Sequence, residues 1–276
     1  MKIFNKKNCC VDGTYFCEIS IFGVTIFKKS RYIRNQMMYP QRFKCNTLIR
    51  DTDKILIVAP HPDDEVIGCG GIISKYTSKN IIDVLCINSS GVKYDWDENS
   101  AEEIADERIS EFKKVMDIAG VNKYYIAKIF GIPPMFDGIK SHLSDYKRNF
   151  NFSDYDKIFI PSVYDGHREH QFVSNYIVPL LLKDVSTKPN LQICMYEIWS
   201  AQGVTNYFED ISDFIENKEK LISVYASRKG NRYFECISSL NNYRGLSINV
   251  KYAEAYNVKK YSDFLEMIDR SQRWNK

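Results

Sequence analysis

Several absences narrow this sequence before any motif is considered. No apolar run approaches the ~18 residues that a membrane-spanning helix requires. The opening MKIFNKKNCC has neither the apolar core nor the small-residue cleavage site of a secretory signal. A cytoplasmic chain without a transmembrane segment is therefore expected. The eight cysteines, at 9, 10, 17, 45, 69, 86, 194 and 236, form no CxxC pair, and several lie in apolar segments such as DVLCIN and LQICMYE. They read as reduced core residues rather than a disulfide frame or a cysteine zinc site. The glycines at 68, 70 and 71 lack GxGxxG order, so they fit close helix–sheet packing better than a dinucleotide loop. There is no repeat and no low-complexity tract. Neither sign of charge dominates, with 38 Lys and Arg against 35 Asp and Glu. That balance argues neither for nor against a nucleic-acid partner, and none is expected.

What is present suits one α/β domain with an appendage, or two small domains. A chain of 276 residues is long enough to bury a substantial core. Residues 1–50 stand apart: TYFCEISIFGVTIFKKSRYIRN alternates as a β-hairpin does, and a basic, polar connector follows. The hairpin fits either an edge addition to the main sheet or a docking element for a partner or membrane surface, with KKSRYIR as its basic side. Residues 51–276 read differently. KILIVAP, IIDVLCINSSG, KYYIAKIF, YDKIFIPSV and LQICMYEIW are strands. EVIGCGGIISKYTSK, SAEEIADERISEFKKVMDIAGV, QFVSNYIVPLLLK and IENKEKLISVYASR are helices. The segment from Gly131 to about Asn151 lacks clean periodicity and reads as a loop with a short helix that could border a cleft. The alternation predicts a doubly wound, largely parallel, Rossmann-like sheet whose sites lie at the carboxyl ends of its strands.

Histidine is scarce, four in all, and its placement is uneven. One lies in APHPDDEVIGCGG and two in YDGHREHQ, both just beyond predicted strands, while His142 is alone. Histidines and acids at two strand ends of one sheet suggest a metal site assembled from distant segments. Three protein ligands leave the open position that a catalytic metal needs, and His61, Asp64 and His170 are the best set. Asp63 neighbours a ligand without having to be one, which suits a general base. His167 can protonate a leaving amine, and Glu169 can orient or charge-stabilise His167. Each residue also has a bland reading. Asp63 and Asp64 can simply cap the following helix, Glu65 can be a first-turn acid, and HREH can be a solvated helix start. The case rests on their conjunction.

APHPDDEVIGCGG resembles, nearly residue for residue, the signature of the LmbE/PIG-L family of metal-dependent carbohydrate N-deacetylases, and a later H-x-x-H completes it. The similarity spans about residues 53–258 and leaves the first 50 outside. Weaker echoes are Arg108, Glu111 and Gly120 in the second helix, and YAEAY near the end. The resemblance implies metal ligands His61, Asp64 and His170, Asp63 as general base, and His167 as acid or oxyanion stabiliser. It places Asp137, in FDG, and Arg108 near substrate. The cofactor implied is Zn2+, with Fe2+ as the other candidate, and the substrate is an N-acetylated amino sugar that is nucleotide-, lipid- or glycoconjugate-linked. Two departures stand out: Glu169 occupies a position commonly Asp, and INSSG replaces a turn that commonly holds Thr. The N-terminal extension faintly resembles those of bacterial surface-glycan enzymes, which points to polysaccharide biosynthesis and leaves room for peripheral membrane contact. Two competing readings remain. One is a non-haem iron oxygenase built on His61, Asp63 and His170; the other is a catalytically inactive sugar-binding protein of the same fold. Trp96 and Trp199 are candidate sugar platforms, although most aromatic residues in such a chain belong to the core.

Overall fold

The structure, a computed structural model, describes residues 4–11, 14–21, 24–31, 48–89, 98–129, 139–228 and 232–274. The chain divides into two compact units, Met1–Phe43 and Lys44–Lys276. In the first, β1 (Phe4–Val11), β2 (Thr14–Ile21) and β3 (Val24–Arg31) form an antiparallel sheet of their own in the order β1-β2-β3. The expected hairpin is β2–β3, and β1 is an additional strand. Its segment FNKKNCCV lacks apolar alternation, so periodicity passes over it. The sequence between β1 and β2, Asp12-Gly13, is a strong hairpin signal that could have revealed it. The strands pair with one another in a sheet of their own.

The second unit is built on a seven-stranded sheet. Its strands are β4 (Lys54–Ala59), β5 (Ile81–Cys86), β6 (Lys123–Ile126), β7 (Lys157–Pro161), β8 (Gln192–Tyr196), β9 (Tyr207–Asp210) and β10 (Ala253–Lys260), in the order β6-β5-β4-β7-β8-β10-β9. The first five are parallel. β10 runs antiparallel to both β8 and β9. The doubly wound parallel core is as expected, and the tail, which shows no chemistry in sequence, supplies the antiparallel edge. The helices are α1 (Asp64–Tyr76), α2 (Glu98–Ala119), α3 (Leu143–Asn149), α4 (Arg168–Phe172), α5 (Val178–Leu182), α6 (Ile215–Ser223), α7 (Tyr233–Gly245) and α8 (Tyr261–Trp274). A π-helical segment, Val173–Ile177, joins α4 to α5. Pro179 follows it and has no amide to offer the carbonyl four residues back, which accounts for the loosened ladder.

The central strands are apolar throughout because both faces are covered. Ile55, Ile57, Val84, Cys86, Phe159 and Tyr196 pack with α1, α2 and α6 on one side. Leu56, Val58, Leu85, Ile158, Ile160 and Met195 pack on the other with Tyr146, Val173, Ile177, Leu181 and Phe264. Each such side chain contributes about 1.5–3 kcal/mol by leaving water. α1 lies very close to the sheet. A Cβ added at Gly68 would come within 2.1 Å of the Tyr196 ring, and one at Gly71 within 2.4 Å of Ile211. Glycine there permits the close approach that the sequence suggested.

Two features of this fold position the site. β4 and β7 are neighbours in the sheet, with Ile57 opposite Phe159, although about a hundred residues separate them in sequence. The helix after β4 covers one face and the helical run after β7 covers the other. The order of the parallel strands therefore reverses between β4 and β7, the switch point at which such sheets open a crevice for ligands.

Candidate metal centre

The loop after β4 carries His61, Asp63 and Asp64 to the switch point, and α4 brings His170 from across it. Asp64, the first residue of α1, accepts the His61 amide at its Oδ2 over 2.9 Å. The same oxygen lies 3.2 Å from His61 Nδ1 and 3.2 Å from His170 Nε2, and the two nitrogens are 3.3 Å apart. Ligand atoms bonded at about 2.0–2.2 Å to one tetrahedral ion stand about 3.3–3.5 Å from each other. This buried triangle of two imidazoles and one carboxylate thus has the dimensions and donors of a divalent-metal site.

The surrounding groups support the same reading. Asp165, fully buried, puts Oδ1 3.0 Å from His170 Nδ1. The Glu169 carboxylate meets His61 Nε2. Both ligand imidazoles thus have a carboxylate behind them, the arrangement that fixes ring orientation in metal sites. Burial pushes the His170 imidazole down, but Asp64 and Asp165 overcome it and raise it to about 10. His61 is likewise raised, with burial opposed by Glu169 and Asp64. Burial pushes Asp64 up, and the His170 and His61 imidazoles hold it below the usual carboxylate range. With Asp64, Asp165 and Glu169 gathered around imidazoles alone, the cluster calls for positive charge from protons or from a cation.

Asp63 does not behave as a helix cap. It precedes α1 but makes no side-chain cap hydrogen bond, and its backbone sits at φ 109°. That region is unfavourable for any residue with a side chain and costs roughly 1–3 kcal/mol. The surroundings enforce it: Glu65 Oε2 accepts the Asp63 amide at 3.2 Å, and Tyr225 donates to the other Glu65 oxygen. Burial pushes the Glu65 carboxyl up to about 8. Asp63 Oδ1 lies 3.9 Å from Arg108 Nη2, and Arg108 donates to the Pro62 carbonyl at 2.9 Å.

Several expectations change. Arg108 is only 2% exposed; it braces the loop and holds charge beside Asp63 instead of facing substrate. Glu169 reaches His61, so its direct contact is with that ring, while its charge still acts on His167. Glu169 itself is held low, with burial opposed mainly by His61. The oxygenase triad with Asp63 is not what assembles, because the carboxylate that joins the two imidazoles is Asp64. His167 is half-buried. Its ring centroid is 4.6 Å from that of His170 and 5.4 Å from that of His61, and its buried Nδ1 has no hydrogen-bond partner among the described residues. Burial first, then the neighbouring imidazoles, lower its pKa. Asp137 and Trp96 lie outside the described residues. Sequence reasoning passed over Asp165, although it stands in the quoted YDGHREHQ; its signal was an acid at a strand end five residues before a ligand histidine. Glu65 was read only as a first-turn acid, and Tyr225 carried no signal.

Comparison with known proteins places this geometry. Residues 56–181 match the family model described as PIG-L, GlcNAc-PI de-N-acetylase. Residues 56–181 thus resemble a PIG-L (LmbE-like) family domain. A diacetylchitobiose deacetylase from Thermococcus kodakarensis is 29% identical over 203 residues, covering 67% of this chain and 74% of that protein. Among solved structures, the N,N'-diacetylchitobiose deacetylase from Pyrococcus horikoshii has a TM-score of 0.58 at 24% identity, with 75% of this chain and 84% of that one covered. A 4-carboxy-2-hydroxymuconate hydratase from Pseudomonas putida KT2440 has a TM-score of 0.53 at 17% identity, covering 74% and 95%. The structural likenesses establish the fold. Because one neighbour is a hydratase, chemistry must be argued from the site.

Proposed function

We propose that this PIG-L-like chain is a zinc-dependent amide hydrolase that removes the N-acetyl group from an amino sugar. The observation that carries the reading is the triangle of His61 Nδ1, Asp64 Oδ2 and His170 Nε2, with separations of 3.2–3.3 Å, formed at the switch point beside one strained acid and the His167 imidazole. Two imidazoles and a carboxylate suit zinc or ferrous iron. Zinc is favoured here because hydrolysis needs no redox change. Bound by these three residues, the ion would polarise the amide carbonyl and acidify water.

The other steps belong to the chain's own groups. Asp63, beside Arg108, accepts a proton from the attacking water as the new C–O bond forms. Its strained backbone is held by Glu65, so the carboxylate is fixed in place before substrate arrives. His167, its pKa lowered by burial and the neighbouring imidazoles, passes the proton taken up by Asp63 to the amine nitrogen as the C–N bond breaks. Water and amide become acetate and a protonated amine: the nitrogen gains the proton taken up by Asp63 and the proton released as the new carboxylic acid ionises. Asp165 and Glu169 hold the two ligand imidazoles throughout.

The relatives named above make diacetylchitobiose the first compound to assay. Zinc-loaded protein should release acetate from it or from another N-acetylated amino sugar. Asp63→Asn should reduce the rate about 10²–10⁴-fold with metal content unchanged, since asparagine tolerates positive φ as aspartate does. Activity that survives this substitution would remove Asp63 from the mechanism. Oxygen consumption by the iron-loaded protein on substrate addition would favour the oxygenase reading, and sugar binding without turnover under either metal would favour the inactive one.

A further inference from the structure

We infer that Trp199 is a stacking platform for a sugar ring beside the reaction centre, a specificity determinant that rests on the amino-sugar reading above. Trp199 lies three residues beyond β8, the strand that neighbours β7. Its amide donates to Asp165 Oδ2 at 3.0 Å, while the other oxygen of that carboxylate lies 3.0 Å from His170 Nδ1. One buried carboxylate thus ties the tryptophan backbone to a metal-ligand imidazole. The side chain is close to the same loop: a Cβ built on Gly166, the residue before His167, would lie 3.8 Å from Trp199 Cβ.

Exposure of one aromatic residue carries no argument by itself, since isolated apolar residues on a surface are ordinary. Here the anchoring adds to it. Trp199 is 54% exposed, and its ring meets Tyr233 in a T-shaped contact with centroids 5.6 Å apart, which braces the indole without stacking over it. The loop that carries it is clamped. Arg244 grips Glu197 through both carboxylate oxygens and donates to the Gln202 carbonyl at 2.9 Å. Gln202 Nε2 donates to the Met195 carbonyl at 2.8 Å. One guanidinium therefore holds both ends of residues 197–202. A braced, solvent-facing indole whose backbone shares Asp165 with the His170 imidazole suits the apolar face of a pyranose ring, because little conformational freedom is left to lose on binding.

The test separates binding from chemistry. In the Asp63→Asn background, zinc-loaded protein is titrated calorimetrically with diacetylchitobiose, alone and combined with Trp199→Ala or Trp199→Phe. Alanine keeps the amide that Asp165 accepts, so zinc content should be unchanged. Affinity should fall about tenfold with alanine and by less than about threefold with phenylalanine. In the otherwise wild-type enzyme, Trp199→Ala should raise KM with little change in kcat. Unchanged affinity, no sugar binding in the Asp63→Asn background, or loss of zinc with alanine would each overturn the platform. Wild-type protein that binds the sugar but releases no acetate would overturn the deacetylase reading and leave the platform standing.

Discussion

Among the described residues, one buried polar cluster lies behind α1 and another at its amino end, and they are built in different ways. Behind α1, Lys218 donates to Glu254 at 2.7 Å and to Asn241 at 3.0 Å. Glu254 also accepts the Gly71 and Ile72 amides and the Tyr256 hydroxyl, and Asn241 Nδ2 donates to the Ala253 carbonyl. One positive charge meets one negative charge, and the surrounding donors are paired. At the amino end of α1, three carboxylates gather around two imidazoles, a neighbouring imidazole nitrogen has no partner, and Asp63 holds a strained φ. The first cluster is complete as it stands. The second calls for further positive charge, from protons or from a cation, and it holds strain in Asp63.

That contrast predicts different failures. The largest effect should come from His170→Ala or from chelation: acetate release should fall to background and metal content to near zero. Far-UV circular dichroism should persist, because the two apolar faces of the sheet do not depend on the ion. Global unfolding on chelation would show that the ion is structural and break the comparison. Next is Lys218→Met, which strands a buried Glu254 and should cost about 3–5 kcal/mol of stability, read from denaturant midpoints, while metal affinity per folded molecule is unchanged. Asp165→Asn should weaken metal affinity about 10–100-fold at nearly constant stability, measured by competition with a chromophoric chelator.

The smallest and most graded effect is pH. The metal-free fold raises His170 from 6.5 to about 10, so its stabilising contribution is complete below pH 6.5 and is lost as pH rises through 10. Metal requires the neutral imidazole, so metal affinity has the opposite slope and should fall as pH drops through the same window, by up to about tenfold per unit for each proton displaced. Melting temperatures of metal-free protein should decline toward pH 10, and those of the loaded protein should not. Parallel curves would show that the cluster does not exchange protons for metal.

The parallel strands were legible because burial on both faces leaves continuous apolar runs. The antiparallel edge was not, since AEAYNVKK has a charged residue at Glu254 whose pairing with Lys218 occurs only in space. Likewise β1 is polar at Asn5, Lys6, Lys7 and Asn8, and a backbone ladder leaves no periodic trace in such a segment. In the centre, the donor types were legible and their partners were not. Glu169 follows Arg168 and precedes His170 on a short helix, and adjacency suggested His167. Helix geometry instead turns its side chain across the crevice to His61. Arg108 carries an ordinary helix-surface charge in sequence, and only packing against the Pro62 carbonyl shows that it is buried.

By itself, then, the sequence determined the donor atoms and their delivery to strand ends, because a short motif after an apolar run encodes local geometry directly. Tertiary structure decided the rest. Pairing of β4 with β7 brought His61 and His170 within 3.3 Å across a separation of 109 residues. Helix packing on opposite faces then set which carboxylate stands behind each imidazole. Hydrophobic periodicity specifies which face of an element is buried, but hydrogen-bond and charge partners depend on distances between elements that no local pattern contains.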